Sequence, residues 1–248
     1  MTSSMEHPNI LFLMCDQHRA DFTGYEGHLT RTPTLDWLAQ TGARFRNCYA
    51  PNPVCVPCRQ AMAVGQLPRT CGVTSFHADL PPNAMTFAKR FTQNGYRTVC
   101  CGKLHHTGLD QMQGWSWRIG EEMHYAPPRI DGYAVPDQPR AKKPGGYGPL
   151  ESALHAGPGV NPVELVDDYT ILGAENFIRL YHANPLMQPV PPDQREPLLL
   201  KVSLIAPHDP YVTASESYQY YYDRVTLFPE ENPLPEIGGW PPPFGPDQ

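Results

Sequence analysis

The sequence predicts an α/β fold with a largely parallel sheet flanked by helices. Residues 9–14, 96–101 and 197–206 form short, almost continuous apolar stretches, which are typical of strands covered on both faces. Segments with helical apolar spacing lie between these strands, and this alternation favours a parallel sheet. Polar residues follow each strand at once, so the carboxyl ends of the strands are the expected location of a ligand site.

Three helices are predicted from their end signals and apolar spacing. The first covers residues 33–41, between a Thr-Pro start and a glycine stop. The second covers residues 83–94 and is followed by a glycine suited to the left-handed C-terminal position. An Asn-Pro pair starts the third, which covers residues 162–180.

Proline makes up 30 of the 248 residues, and most of these prolines follow residue 125. This is about 12% of the chain, against about 5% in average proteins. Residues 126–160 are rich in both proline and glycine, which predicts a long surface loop. The tail, residues 228–248, contains seven prolines and lacks apolar periodicity. We interpret residues 1–248 as one domain that includes this loop and this tail.

Composition excludes several classes of partner and location. The formal charge is 19 − 25 = −6 without a lysine or arginine run, so neither nucleic acid nor an anionic membrane is an expected partner. The N-terminus lacks a basic leader, and its apolar run is too short for a signal core, which predicts a cytoplasmic protein. Seven cysteines cannot all pair, and we expect reduced thiols.

Four clusters carry side chains suited to chemistry: Asp16 with Gln17, and the segments 55–59, 102–106 and 207–210. Three of them directly follow predicted buried strands, so they are expected to converge at one edge of the sheet. Together they provide a carboxylate, a nucleophile and cationic groups. This combination is what turnover of a small oxyanion ester requires.

Each cluster alone also has a structural interpretation. Asp16 can cap a turn, and Lys103 can belong to a solvated turn. Cys55 and Cys58 can form a redox pair or half of a zinc site, although a second C-x-x-C does not follow at zinc spacing. His208 can simply bind the backbone of a rigid loop. These alternatives are weakened when the four clusters are taken together.

Three ordered motifs resemble the type I sulfatases of the alkaline phosphatase superfamily. Cys-Val-Pro-Cys-Arg at 55–59 fits the C-x-P-x-R signature, Gly-Lys-Leu-His at 102–105 resembles the G-K-x-H element, and Pro-His-Asp-Pro-Tyr at 207–211 resembles the P-H-x-P-[FY] element. The similarity covers about residues 9–211 and is greatest to choline-sulfatase-like and phosphonate-monoester-hydrolase-like members. It implies the alkaline phosphatase-like sulfatase fold.

The resemblance implies that Cys55 is the nucleophile position. In this family the motif cysteine is oxidised to formylglycine, so a formylglycine-generating enzyme is an expected partner. One hydroxyl of the aldehyde hydrate attacks sulfur and expels the alcohol, which leaves a covalent sulfate ester. The second hydroxyl later collapses this ester to the aldehyde and releases the sulfate. The resemblance places Arg59 beside the hydrate, where its planar donors orient a hydroxyl.

The resemblance also implies a divalent cation. Asp16, Gln17 and the hydrate derived from Cys55 are its expected ligands, with calcium preferred and magnesium or manganese as alternatives. Gln17 stands where many relatives have a second aspartate, which weakens the hold on the cation. Sulfate is the anion that this site is expected to accept, as the ester of a small molecule.

Two further elements are expected to handle the charge of the anion and the leaving group. Lys103 and His105 would bind the sulfate oxygens, and His208 would act on the leaving oxygen as general acid or hydrogen-bond donor. His106 and Asp209 are interpreted as structural neighbours.

The chain departs from the family in length. Members are about twice as long, and their second half provides an Asp-Asn or Asp-His metal pair that residues after His208 do not resemble. We therefore interpret residues 1–248 as an incomplete, apparently truncated N-terminal sulfatase domain. A C-terminal half on another chain, or a second copy, would be an expected partner. The alternatives are a phosphonate or phosphate ester hydrolase of the same fold, a non-catalytic relative that binds a sulfated ligand or a partner chain, and a C-x-x-C thiol oxidoreductase.

Overall fold

The computed structural model describes residues 7–27, 29–120, 156–183, 188–191, 194–222 and 224. Most of the predicted 126–160 loop and the whole 228–248 tail lie outside these described residues. The chain divides into two compact units. The first contains Met1–Ala20 and Arg44–Ala214, and the second contains Asp21–Ala43 and Ser215–Gln248.

The first unit is built on a four-stranded sheet. Its strands are parallel, which confirms the predicted sheet type, and β3 is a strand that the sequence did not indicate. Its strand order is β1-β5-β2-β3, and a second, two-stranded parallel sheet joins β4 to β6. The strands are β1 Ile10–Met14, β2 Arg97–Gly102, β3 Trp117–Ile119, β4 Gly157–Pro158, β5 Leu198–Ser203 and β6 Val212–Thr213.

The helices agree with the predicted order and add elements that the sequence did not indicate. They are a short 3₁₀ helix Gly24–Glu26, α1 Pro33–Thr41, α2 Cys55–Val64, α3 Pro68–Cys71, α4 Phe87–Gln93, α5 Pro162–Tyr181 and α6 Ser215–Tyr222. α4 begins later than predicted because Thr86 is its N-cap and accepts a hydrogen bond from the Lys89 amide. In the described ranges, no helix is both long enough and apolar enough to cross a membrane.

Helices cover both faces of the central strand β5, and all six of its residues are buried. Leu200 and Val202 pack on one face with Phe177 of α5. Leu199 packs on the opposite face with Ala88 of α4. Burial of apolar side chains on both faces explains why this strand reads as a continuous apolar run in the sequence.

The register aligns the carboxyl ends of three strands. Met14 of β1 and Gly102 of β2 both lie opposite Ser203 of β5. Gly102 has a φ of 80°, and a Cβ there would collide with the carbonyl oxygen of Ser203. The chain therefore turns sharply at the end of β2 and delivers the next residues to the edge where β1 and β5 also end.

The second unit contains the 3₁₀ helix, α1 and α6. Thr32 precedes α1, where its hydroxyl accepts from the amide of Gly24 and donates to Asp36, both at 2.8 Å. The phenol of Tyr221 accepts from the amide of Arg31 at 3.1 Å, which ties α6 to the segment before α1.

Candidate active site

The C-x-P-x-R segment forms the first turns of α2. Cys55 is the first helical residue, and Arg59 follows one turn later on the same side of the helix. Pro57 lies within the first turn, where its missing amide hydrogen leaves no helical hydrogen bond unmade. The spacing of the motif therefore brings the thiol and the guanidinium together.

Asp16, two residues beyond β1, gathers the charged groups of the site. Its Oδ2 atom lies 2.6 Å from Nζ of Lys103 and 3.0 Å from Nη2 of Arg59. The Cys55 thiol points at the same carboxylate, with Sγ 3.6 Å from Oδ2 and 3.8 Å from Oδ1. Residues that are far apart in sequence thus meet at one carboxylate.

The ion pairs of Asp16 are largely shielded from water. The side chains of Asp16, Lys103 and Arg59 are 11%, 7% and 3% exposed. Burial alone would raise the pKa of Asp16, but the charges and hydrogen bonds of Lys103 and Arg59 lower it to about 2. The carboxylate is therefore ionised at neutral pH.

Arg59 connects α2 to the ends of the strands. Its Nη1 atom donates to the carbonyl oxygen of Lys103 and to the hydroxyl of Ser203, both at 2.9 Å, and lies 3.8 Å from the sulfur of Met14. Sequence reasoning missed Ser203, because only the strand register places its hydroxyl at this edge. Lys103 also reaches the thiol, with Nζ 3.9 Å from Sγ of Cys55.

His208, in the loop that follows β5, joins the cluster from the third strand. A hydrogen bond with the Cys55 side chain is the main cause that raises the pKa of His208, while burial opposes it. Its Nδ1 atom lies 2.9 Å from both the carbonyl oxygen and the carboxylate Oδ1 of Asp209. Asp209 therefore fixes the ring orientation, which goes beyond the neighbour role expected from the sequence.

The described contacts of Gln17 and His105 involve aromatic side chains. Nε2 of Gln17 donates to the phenol of Tyr211 at 2.8 Å. The ring of half-buried His105 lies 5.6 Å from that of Phe76, measured between centroids. The roles of these two residues in metal and anion binding remain predictions.

The residues present match only part of a shell for a divalent cation. Asp16 offers hard oxygen atoms, but Lys103 and Arg59 already occupy the space around its Oδ2. Within the described ranges, no group of three or more histidine, cysteine, aspartate or glutamate side chains is arranged to hold a metal. Calcium requires about six to eight oxygen ligands. The described residues therefore do not form a complete calcium site.

Comparison with known proteins assigns the chain to a family. The sequence model of the family described as Sulfatase matches residues 8–234. The chain belongs to the sulfatase family. The choline-sulfatase of Rhizobium meliloti is 32% identical to this chain over 236 residues, which cover 92% of the present chain and 44% of the relative. The chain thus spans less than half the length of that relative.

Solved structures support the fold. The chain matches the phosphonate monoester hydrolase of Agrobacterium radiobacter with a TM-score of 0.57 and 21% identity, over 86% of the chain and 43% of that structure. It matches BT4656, solved with its substrate D-glucosamine-2-N,6-O-disulfate, with a TM-score of 0.59 and 24% identity, over 91% and 39% of the two chains. The predicted α/β sulfatase fold is confirmed.

Proposed function

We propose that this chain carries the nucleophile half of a sulfatase that hydrolyses the sulfate ester of a small molecule. The observation that carries the proposal is the position of the Cys55 thiol, 3.6 Å from Asp16 and 3.9 Å from Lys103. Membership of the sulfatase family supports the same reaction class. A thiol held between a carboxylate and a cation, at the carboxyl ends of parallel strands, suits attack on a bound oxyanion ester.

Formylglycine derived from Cys55 would supply a hydroxyl nucleophile in place of the thiol. The other groups act around that position. Lys103 binds the sulfate oxygens and stabilises the negative charge that develops on them. His208 donates a proton to the leaving oxygen. Asp16 keeps the cationic groups of Lys103 and Arg59 in place through its two short ion pairs.

The proposed site also binds a divalent cation, with calcium preferred over magnesium and manganese. This binding requires further ligands from outside the described residues. Oδ1 of Asp16 and the amide oxygen of Gln17 are the hard oxygens that this part of the chain would contribute. The second half of a sulfatase sequence, on this polypeptide or on a partner, would have to supply the remaining ligands. A cytoplasmic location also stays a proposal, and cell fractionation of the native protein tests it.

Mass spectrometry and turnover test the function together. The full chain is produced with the second half of the sulfatase sequence, on the same polypeptide or as a co-expressed partner, and with a formylglycine-generating enzyme. The peptide that contains Cys55 is then weighed. We expect conversion at Cys55, and hydrolysis of an aryl sulfate that Cys55→Ala abolishes. Cys48→Ala is the matched control, because Cys48 is an exposed thiol in the same unit. An unconverted thiol, or equal turnover by Cys55→Ala and the parent, would contradict the proposal.

A phosphonate or phosphate ester hydrolase is the second candidate. The structural match to a phosphonate monoester hydrolase supports a fold that accommodates this reaction. Sulfate, phosphonate and phosphate groups are tetrahedral oxyanions of similar size, so one cationic cradle can accept each. Relative kcat/KM on aryl sulfate and aryl phosphonate esters separates the two candidates. Binding of a sulfated ligand without turnover of any ester would instead indicate a non-catalytic relative.

A further inference from the structure

A buried carboxylate on helix α5 binds the loop of residues 204–211, which contains His208 and is called the His208 loop below. Asp167, 5% exposed, accepts hydrogen bonds from two consecutive backbone amides. Its Oδ1 atom lies 2.8 Å from the amide nitrogen of Ile205, and Oδ2 lies 2.7 Å from that of Ala206. Ala206 is two residues before His208. The carboxylate thus fixes the chain where it leaves β5 and enters the loop.

Asn161, the N-cap of the same helix, holds the other end of the loop. Its Oδ1 atom accepts from the amide of Val163 at 2.9 Å, which is the capping bond. Its Nδ2 atom donates to the carbonyl oxygens of Pro210 and Val212, at 3.2 and 2.8 Å. One side chain therefore caps α5 and anchors the far side of the loop at the same time.

The loop depends on these side chains because it makes few backbone hydrogen bonds of its own. Pro207 and Pro210 have no amide hydrogen to donate. The backbone bonds described within the loop are from His208 to Ile205 at 3.0 Å and from Val212 to Pro210 at 2.9 Å. Buried backbone donors require partners, and Asp167 supplies them for two successive amides.

We propose that Asp167 is a positioning residue for His208, and that Asn161 is the second anchor of the same loop. This inference rests on the proposed function, in which His208 donates a proton to the leaving oxygen. Proton donation needs a hydrogen-bond distance to that oxygen, so a loop released at one end moves His208 out of reach without removing it. Asp167 does not contact the reacting atoms in this scheme.

Hydrogen exchange tests whether the carboxylate holds the loop. The full chain is compared as parent, Asp167→Ala, Asp167→Asn and the control Asp168→Asn, an exposed carboxylate on the same helix. We expect exchange across residues 204–211 to rise about tenfold in Asp167→Ala, with β5 unchanged. Asp167→Asn has a single acceptor oxygen and should lose protection at one of the two amides. Unchanged protection of the loop in both Asp167 variants would overturn the inference.

Leaving-group dependence tests whether the loop positions a proton donor. Aryl sulfates with poor leaving groups need protonation more than 4-nitrophenyl sulfate does. Asp167→Ala should therefore lose about tenfold more kcat on phenyl sulfate than on 4-nitrophenyl sulfate, with little change in KM. A purely structural role would lower both rates equally, and equal losses would reject positioning. His208→Gln should show the same leaving-group pattern.

A double variant tests whether Asp167 acts through His208. If Asp167 acts through His208, then Asp167→Ala with His208→Gln should be no slower than His208→Gln alone. Additive losses would overturn the inference. If His208→Gln lacks the leaving-group pattern, His208 is not the proton donor and this part of the proposed function is wrong. If His208→Gln shows the pattern but Asp167→Ala keeps the parent's rates, only the positioning role of Asp167 is rejected. A parent without turnover contradicts the proposed function, and the exchange experiment then decides whether Asp167 holds the loop.

Discussion

Replacing Asp16 with asparagine should destabilise the first unit more than removal of an ordinary surface charge. The pKa of Asp16 is lowered from an ordinary 3.8 to about 2. At about 1.4 kcal/mol for each tenfold change in proton affinity, this corresponds to roughly 2.5 kcal/mol, which residual solvent contact reduces to about 1–2 kcal/mol. Asp16→Asn additionally leaves the buried cations of Arg59 and Lys103 without a counter-charge. Because breaking a buried pair in this way costs about 3–5 kcal/mol, the total loss of unfolding free energy in Asp16→Asn should exceed the ~1–2 kcal/mol given by the pKa alone.

The pH dependence has a definite sign. Because the folded-state pKa of Asp16 lies below its ordinary value, its stabilisation is present above about pH 4 and is lost as the pH falls towards 2. Urea unfolding of the parent and Asp16→Asn should therefore differ most near pH 6 and converge near about pH 2. Glu175→Gln is the control, since the Glu175–Arg179 pair is exposed and should contribute about 0.5 kcal/mol or less.

Two results would refute this reasoning. A loss below about 1 kcal/mol at neutral pH would mean that the buried cations do not depend on the carboxylate. A parent–variant difference that stays constant from about pH 6 to pH 2 would mean that protonation of Asp16 does not control this part of the stability.

Two further predictions concern the sheet. Gly102 and Gly95 both have a φ of 80°, but of the two only Gly102 lies where a Cβ would collide with neighbouring atoms. Urea unfolding should therefore show that Gly102→Ala lowers the unfolding free energy by about 3 kcal/mol and Gly95→Ala by about 1–2 kcal/mol. Leu11 and Leu13 of β1 are each 56% exposed, so replacing both with threonine should change the unfolding free energy by less than about 1 kcal/mol and reduce light scattering from self-association. A larger loss in that double variant would show that another part of the protein covers this face.

The sequence predicted β1, β2, β5 and the long helices because their signals are local, whereas the short strands β3, β4 and β6 were not predicted. The run at 197–206 is apolar because helices cover both faces of β5, and Asn161 before a proline marks the start of α5 through its own side chain. The helix at Cys55–Val64 was not predicted, because its first turn contains a proline and its buried face includes Arg59 and Gln60. Those side chains are buried by tertiary contacts, which local apolar periodicity does not report.

The sequence indicated which side chains meet at the strand ends, but not the hydrogen bonds that hold them there. Asp16, Lys103 and His208 each follow a predicted strand, and the parallel order of those strands brings them together. Ser203 and Asp167 were missed, because a serine at a strand end and an aspartate on an amphipathic helix have no distinguishing sequence pattern. Their hydrogen bonds depend on strand register and on the packing of α5 against the sheet.

Arg59 shows why activity measurements at this site need a structural control. Its guanidinium contacts Asp16 after β1, the Lys103 carbonyl after β2 and the Ser203 hydroxyl of β5, so one side chain joins α2 to the ends of three strands. Loss of activity in Arg59→Ala would therefore include displacement of the helix that carries Cys55. Cys55 makes no comparable set of contacts with the strands in the described part of the chain, where its thiol interacts with the side chains of Asp16, Lys103 and His208. Substitutions at Cys55 consequently separate chemistry from fold more cleanly than substitutions at Arg59, although both residues belong to one motif.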